Sequence, residues 1–227
     1  MLAPADYCAL ARDAFRAHGD PDTALGQMAY MRNQFEFFGL KMPQWMSLTK
    51  AIQAQWGIPE GEDLKTLARL CFADDHREMH YFALETVQKA LKKQPAEFIE
   101  FLEELILSRS WWDSVDWLNK LVGLHFRRYP ALIRPVTERW LESGNIWLQR
   151  VSLIFQLTYK DKTDADLLFG YVRRLSASPE FFIQKAAGWA LRQYAKTAPD
   201  AVVDFVQKTR LAPLTKREAL KIVGKKD

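Results

Sequence analysis

The sequence predicts an all-α fold of stacked antiparallel helical hairpins, and three observations carry that prediction. Helix-start signatures recur at Pro95-Ala96, Pro130-Ala131, Asp164-Ala165 and Asp200-Ala201, with 35, 34 and 36 residues between successive alanines. A fixed period of roughly 20 to 50 residues marks a stacked repeat architecture. Apolar residues follow these signatures at helical spacing, as in Phe98, Phe101, Leu102 and Leu105 or Leu167, Leu168, Tyr171 and Val172, and no segment alternates as a half-buried strand would. Hairpins that cannot each bury an apolar face stack on their neighbours, giving a continuous core and a curved solenoid with a concave surface.

The first 56 residues read as three helices, about 5–18, 22–34 and 43–56, separated by Gly19-Asp20-Pro21 and by Gly39-Leu40-Lys41-Met42-Pro43. Repeats of about 35 residues begin near residue 60. Their first helices open on proline or aspartate. Proline fixes φ and lacks a donor the first turn would leave unpaired, while aspartate accepts from the orphan N–H groups. Second helices are expected at 78–91, 111–126, 146–160 and 181–195, with a basic last one at about 216–226. Residues 147–151 and 182–186 align at an offset of 35, so the chain, 1–227, reads as one repeat domain with the N-terminal helices packed on the same solenoid.

Composition bounds this reading without naming a function. The 48% hydrophobic and 26% charged fractions are those of an ordinary globular chain. An excess of 32 Lys and Arg over 28 Asp and Glu, net +4, permits an anionic partner but matters only where it gathers on one face. Cys8 and Cys71 are far apart and fit neither a C-x-x-C motif nor a disulfide framework. They read as inert thiols in a reducing compartment, with no structural zinc. The N-terminus lacks a basic region followed by an apolar core, and no apolar run is long enough to span a membrane, so a cytoplasmic protein is expected.

Superposing the second helices places Asp116, Arg150 and Lys185 at equivalent positions of successive repeats. Trp112 lies four residues before Asp116 and Trp189 four after Lys185, so each indole shares a helix face with its charged neighbour. The expected result is a row with an acid, two bases and two large rings. Each member also has a plainer reading. Indoles usually fill cores, and Trp45, Trp56, Trp117 and Trp140 are assigned to packing or partial exposure. Neighbours on a helix are about 100° apart, so of Trp111 and Trp112 one ring is expected in the core and the other on the cleft. Asp113 suits the helix dipole. Arg150 and Lys185 either bind phosphate or are solvated charges that hold Asp116 in an ion pair. Arg127, Arg128 and the basic residues Lys216, Arg217, Lys221, Lys225 and Lys226 read as solvated faces that add to the field.

The familiar catalytic signatures are missing: there is no His-Glu-x-x-His, no Gly-rich phosphate loop and no Gly-x-Ser-x-Gly. His76 and His80 have i, i+4 spacing but no third ligand nearby, so neither a metal nor another cofactor is expected.

The runs Phe101-Leu102-Glu103-Glu104-Leu105-Ile106, Ser110-Trp111-Trp112-Asp113-Ser114-Val115-Asp116, Asn145-Ile146-Trp147-Leu148-Gln149-Arg150 and Phe181-Phe182-Ile183-Gln184-Lys185-Ala186-Ala187-Gly188-Trp189 resemble the AlkD-type DNA alkylation repair family. The resemblance extends from about Tyr30 to about Ala219 and is most specific at the Ser-Trp-Trp-Asp-Ser-Val-Asp run. It implies a right-handed solenoid of HEAT-like repeats that removes N3- and N7-alkylated purines from double-stranded DNA without rotating the lesion into a pocket. Carried over by position, Asp116 is the catalytic acid, Trp112 and Trp189 are the cleft aromatics beside it, Tyr30 is a further cleft aromatic and Arg150 contacts DNA. Lys185 is expected to join the DNA-binding row. A monomer is expected, because no heptad seam is evident.

Two other readings share the fold. A protein-binding scaffold predicts an apolar or mixed concave face and no salt-sensitive DNA affinity. A DNA-structure binder predicts that affinity without base release.

Overall fold

The computed structural model describes residues 2–223. Among them lie thirteen α-helices, short 3-10 turns and a single isolated bridge between Glu36 and His76, but no strand. No helix of the described residues is long and apolar enough to cross a membrane. The chain forms two compact units, residues 1–109 and 110–227.

The first unit holds α1 (Pro4–Ala17), α2 (Pro21–Tyr30), α3 (Met42–Trp56), α4 (Gly61–Phe72), α5 (Arg77–Ala90) and α6 (Phe98–Leu107). Asp20 caps α2 by accepting from the Thr23 N–H at 2.7 Å. That helix stops at Tyr30 rather than continuing to 34, because Arg32 and Asn33 adopt left-handed backbone with φ of 56° and 54°. Helix α1 buries Tyr7, Cys8, Ala11 and Phe15 against Leu64, Leu67, Ala68 and Cys71 of α4 and Phe82 of α5. Tyr7 and Phe15 lie 5.9 and 6.0 Å from the Phe82 ring. Cys8 and Cys71 thus meet in this core, their sulfurs 3.7 Å apart, a neighbourhood that their separation in the sequence concealed.

The segment after α2 is tied down by α5. The fully buried Glu78 carboxylate accepts from the N–H groups of Phe38, Gly39 and Leu40 at 3.1, 3.0 and 3.1 Å. Burial raises the Glu78 carboxyl above its ordinary range against the opposing pull of those donors. Arg77, also fully buried, lies 3.8 Å over the Phe35 ring and donates to His80 Nδ1 and the Arg109 carbonyl, both at 2.8 Å.

The second unit holds α7 (Trp112–Arg128), α8 (Ile133–Glu142), α9 (Ile146–Ile154), α10 (Ala165–Arg174), α11 (Phe181–Ala195), α12 (Pro199–Lys208) and α13 (Pro213–Ala219). Its helices fall into two layers. In one, α7 packs on α9, α9 on α11 and α11 on α13. In the other, Thr137 of α8 bonds Tyr171 of α10 at 2.7 Å, and Phe169 of α10 stacks on Phe205 of α12 at 4.4 Å. Trp140 is fully buried between the layers' apolar faces.

The sequence period reappears as the separation of side-chain partners. Arg69 pairs with Glu104 35 residues on, Tyr159 donates to the Gly123 carbonyl 36 residues back, and Thr215 to the Gln184 carbonyl 31 residues back. Within each unit, side chains thus bond elements about one period apart, as the stacking of neighbouring repeats requires.

Two expected second helices differ in extent. The one expected over 146–160 ends at Ile154, because Gln156 instead brackets Asp164, accepting its N–H at 2.8 Å and donating to its carbonyl at 3.3 Å. The last helix starts at Pro213 and ends at Ala219, since Pro213 supplies an N-terminal start upstream of the basic residues. Lys225 and Lys226 lie outside the described residues.

Candidate active site

Asp116, Arg150 and Lys185 each occupy the fifth position of their helix, in α7, α9 and α11. The packing brings the first two together. Arg150 donates from Nε to Asp116 Oδ1 at 2.9 Å and from Nη2 to Oδ2 at 3.0 Å, the paired geometry that a guanidinium and a carboxylate favour. Its Nη1 donates to the Phe182 carbonyl at 2.8 Å, in the first turn of α11. The Arg150 side chain is only 6% exposed and that of Asp116 23%, so the base is enclosed while the acid keeps an open edge.

A cation in the first turns of a helix faces the positive end of the dipole and is disfavoured there. Arg150 is compensated by Asp116 and the Phe182 carbonyl. Lys185 is not part of that pair: its Nζ lies 3.0 Å from Glu218 of α13, and Glu218 also bonds Arg192 of α11. These two cations sharing one carboxylate leave a positive excess on this part of α11. Gly188 makes the arrangement possible, because a Cβ there would lie 2.5 Å from the Glu218 Cβ and 3.0 Å from the Thr215 carbonyl oxygen.

Burial raises the Asp116 carboxyl above the ordinary aspartate range; the Arg150 bonds and charge oppose that rise and Asp113 adds to it. The folded state therefore binds this proton more readily than the unfolded chain. The group's contribution to stability is fully present below its unfolded value and is lost as pH rises through the raised one.

The aromatic residues divide between packing and surface. Trp111, Trp147 and Phe182 form a cluster with ring centroids 6.0, 5.5 and 4.9 Å apart, and the Arg150 guanidinium lies 5.9 Å from the Phe182 ring. The Trp111 indole nitrogen is buried there. Trp112, one turn before Asp116, is half-buried, as is Trp189, one turn after Lys185. Beside the cluster, Phe181 remains 56% exposed.

Tyr30, at the end of α2 in the first unit, is 70% exposed. It lines a cavity of about 370 Å³ with Gln27, Phe37, Met42, Trp45 and Tyr81. No group of His, Cys, Asp and Glu among the described residues is arranged to hold a metal ion.

Sequence reasoning assigned no site role to Phe182, Trp147, Glu218 or Arg192. Phe182 and Trp147 carried a signal, since both lie on the 35-residue offset that aligned Arg150 with Lys185. Arg192 and Glu218 carried none, because their pairing depends on how closely α13 approaches α11.

The family model described as DNA alkylation repair enzyme matches residues 11–223. A predicted DNA alkylation repair enzyme from Enterococcus faecalis is similar to this chain at 31% identity and a TM-score of 0.86, over 92% of this chain and 98% of that one. AlkD2 from Streptococcus mutans shares the fold at 19% identity and a TM-score of 0.60, over 78% of this chain and 87% of its own. The smu.31 protein from Streptococcus mutans UA159 does so with the same identity and score, over 78% of this chain and 90% of its own. No curated protein matches.

Proposed function

The chain belongs to the DNA alkylation repair enzyme family, and from that premise we propose that it is a monofunctional glycosylase that hydrolyses the N-glycosidic bond of cationic N3- and N7-alkylated purines in duplex DNA. The observation that carries this reading is the half-open Asp116 carboxylate held in a paired bond by an enclosed Arg150.

An alkylated purine already bears positive charge, so it leaves with the bonding electron pair without needing a proton. What remains is an oxocarbenium-like sugar. An oriented anion stabilises that charge, as carboxylates do in glycoside hydrolysis. Arg150 takes one lone pair from each Asp116 oxygen, and an ionised carboxylate has about four acceptor sites, so capacity remains for the sugar or for the attacking water. Water then forms the new bond to the sugar carbon and passes its proton to the Asp116 carboxylate, which returns it to solvent. Arg150, enclosed and bonded to both Asp116 oxygens and the Phe182 carbonyl, acts chiefly by orienting Asp116. Trp112 and Trp189 offer π-faces to the cationic base; such contacts contribute about 0.5 to 2 kcal/mol each.

The duplex lies along the helix N-termini of the second unit, where backbone N–H groups and dipoles favour phosphate. Lys185 exchanges Glu218 for a phosphate, and within the first unit the exposed Tyr30 is the DNA-contacting ring. One monomer in the cytoplasm suffices.

The test is release of free 7-methylguanine and 3-methyladenine from methylated duplex DNA at low salt. Both bases are expected, with abasic sites left in the strand; no release at protein concentrations that saturate the duplex overturns the reading. The acid limb of kcat/KM is expected above the ordinary aspartate range, because the reaction uses ionised Asp116 and burial raises its pKa. Activity then falls as pH drops through that raised value, and a profile flat down to the ordinary range contradicts the assignment.

A further inference from the structure

Cys8 of α1 and Cys71 of α4 face each other with sulfurs 3.7 Å apart, the Cys71 thiol donating to Cys8. They are 3% and 0% exposed, and both are free thiols. Their approach is imposed by the helix pair, because Tyr7 and Ala11 flank Cys8 and Leu67 and Ala68 flank Cys71 in the same core. Arg12, one turn after Cys8, sets its Nη2 4.0 Å from the Cys8 sulfur. Arg12 is held in place by Asp74, which accepts from its Nε at 2.6 Å.

We propose that Cys8 and Cys71 are a thiol modification site that closes into a reversible intramolecular disulfide when the protein meets a small hydroperoxide. This inference is independent of the proposed base excision. The pair is poised asymmetrically. The Cys71 hydrogen bond and the Arg12 charge favour the Cys8 thiolate against its burial, while burial raises the Cys71 thiol. Cys8 is therefore the attacking sulfur, since the thiolate is the nucleophile.

The Cys8 thiolate attacks one oxygen of hydrogen peroxide and the O–O bond breaks. A sulfenic acid forms, and the departing hydroxide takes up a proton to become water. The Cys71 sulfur then attacks the sulfenic sulfur, loses its proton and expels hydroxide, which leaves as a second water. Two thiols are oxidised and one peroxide is reduced. A dithiol reductant reverses the bond by exchange. Closure shortens the sulfur separation from 3.7 Å to about 2.05 Å. Burial restricts the reaction to oxidants as small as peroxide.

The test treats the folded, full-length protein with hydrogen peroxide, unfolds it in iodoacetamide and maps the peptides. The two alkylatable cysteines are expected to fall to none, with a single peptide pair joining Cys8 to Cys71, and dithiothreitol is expected to restore both. The oxidised protein should melt at a higher temperature than the reduced one, because the cross-link restricts the unfolded chain. In Cys71→Ser the sulfenic acid has no resolving partner, so a dimedone-type probe should label Cys8. Should that variant fail to fold, the peptide map of the native protein decides alone. Two thiols that stay alkylatable, a sulfinic acid on Cys8 with Cys71 untouched, or a bridge between two molecules would each overturn the proposal.

Discussion

Asp116→Asn is expected to lower the single-turnover rate of alkylpurine release by a factor of about 10² to 10³, the usual cost of removing one oriented group that stabilises transition-state charge. The substitution keeps shape and one acceptor oxygen but removes the anion. Its effect on folding is the competing explanation. Deleting one partner of a buried ion pair destabilises by about 3 to 5 kcal/mol, and Arg150 is enclosed enough to feel much of that. Two features limit the loss here. The Asn oxygen still accepts from Arg150, and the Phe182 carbonyl holds Nη1 at 2.8 Å whatever occupies position 116. Melting and duplex affinity measured beside the rate separate the causes. A variant that melts as a folded protein, binds duplex and releases base at the native rate would remove Asp116 from the chemistry.

Gly123→Ala is expected to destabilise the protein by about 1 to 3 kcal/mol, the usual cost of forcing a methyl group into a packed interior. In an open helical position the sign is opposite, since Ala is favoured over Gly by about 1 kcal/mol. Packing decides between these effects. A Cβ at Gly123 would stand 2.4 Å from the Phe155 carbonyl oxygen, a backbone atom that no rotamer change moves away. The Gly123 carbonyl also accepts from Tyr159 at 2.8 Å, so separating the helices loses that bond as well. Gly170, inside α10, is the control: nothing lies within 4 Å of its Cβ position, and Gly170→Ala should stabilise. Thermal melts of the two variants should move in opposite directions; shifts of the same sign would refute the packing argument. Gly123 lies on the helix that carries Asp116, and Phe155 directly follows the helix that carries Arg150. The destabilised variant should therefore also loosen the acid–base pair and lose activity beyond what its folded fraction explains.

The parts of this molecule that repeat were legible in the sequence. Residues 181–195 read as a helix, and the 35-residue offset brings Arg150 and Lys185 to one helical position from the sequence alone. The parts that break the repeat were not. Whether Lys185 joins Asp116 or turns to Glu218 depends on the seat that Gly188 gives α13, which a glycine inside a helical pattern does not announce. The meeting of Cys8 with Cys71 likewise follows from helices distant in sequence, where no local pattern reports proximity. The early end at Ile154 was hidden because Gln156 serves equally well as a helix residue and as a bracket for Asp164.

The common fifth position of Asp116, Arg150 and Lys185 sets a ruler. Packed helices stand about 8 to 10 Å apart, whereas a DNA strand advances about 3.4 Å per nucleotide. One step along the row thus spans roughly three nucleotides, and successive repeats cannot address successive nucleotides. On the proposed function, action at a single nucleotide is therefore concentrated at one junction between repeats, the paired bond across α7 and α9. The same proposal leaves the remaining junctions the coarser task of gripping the strand at intervals, a task indifferent to base identity.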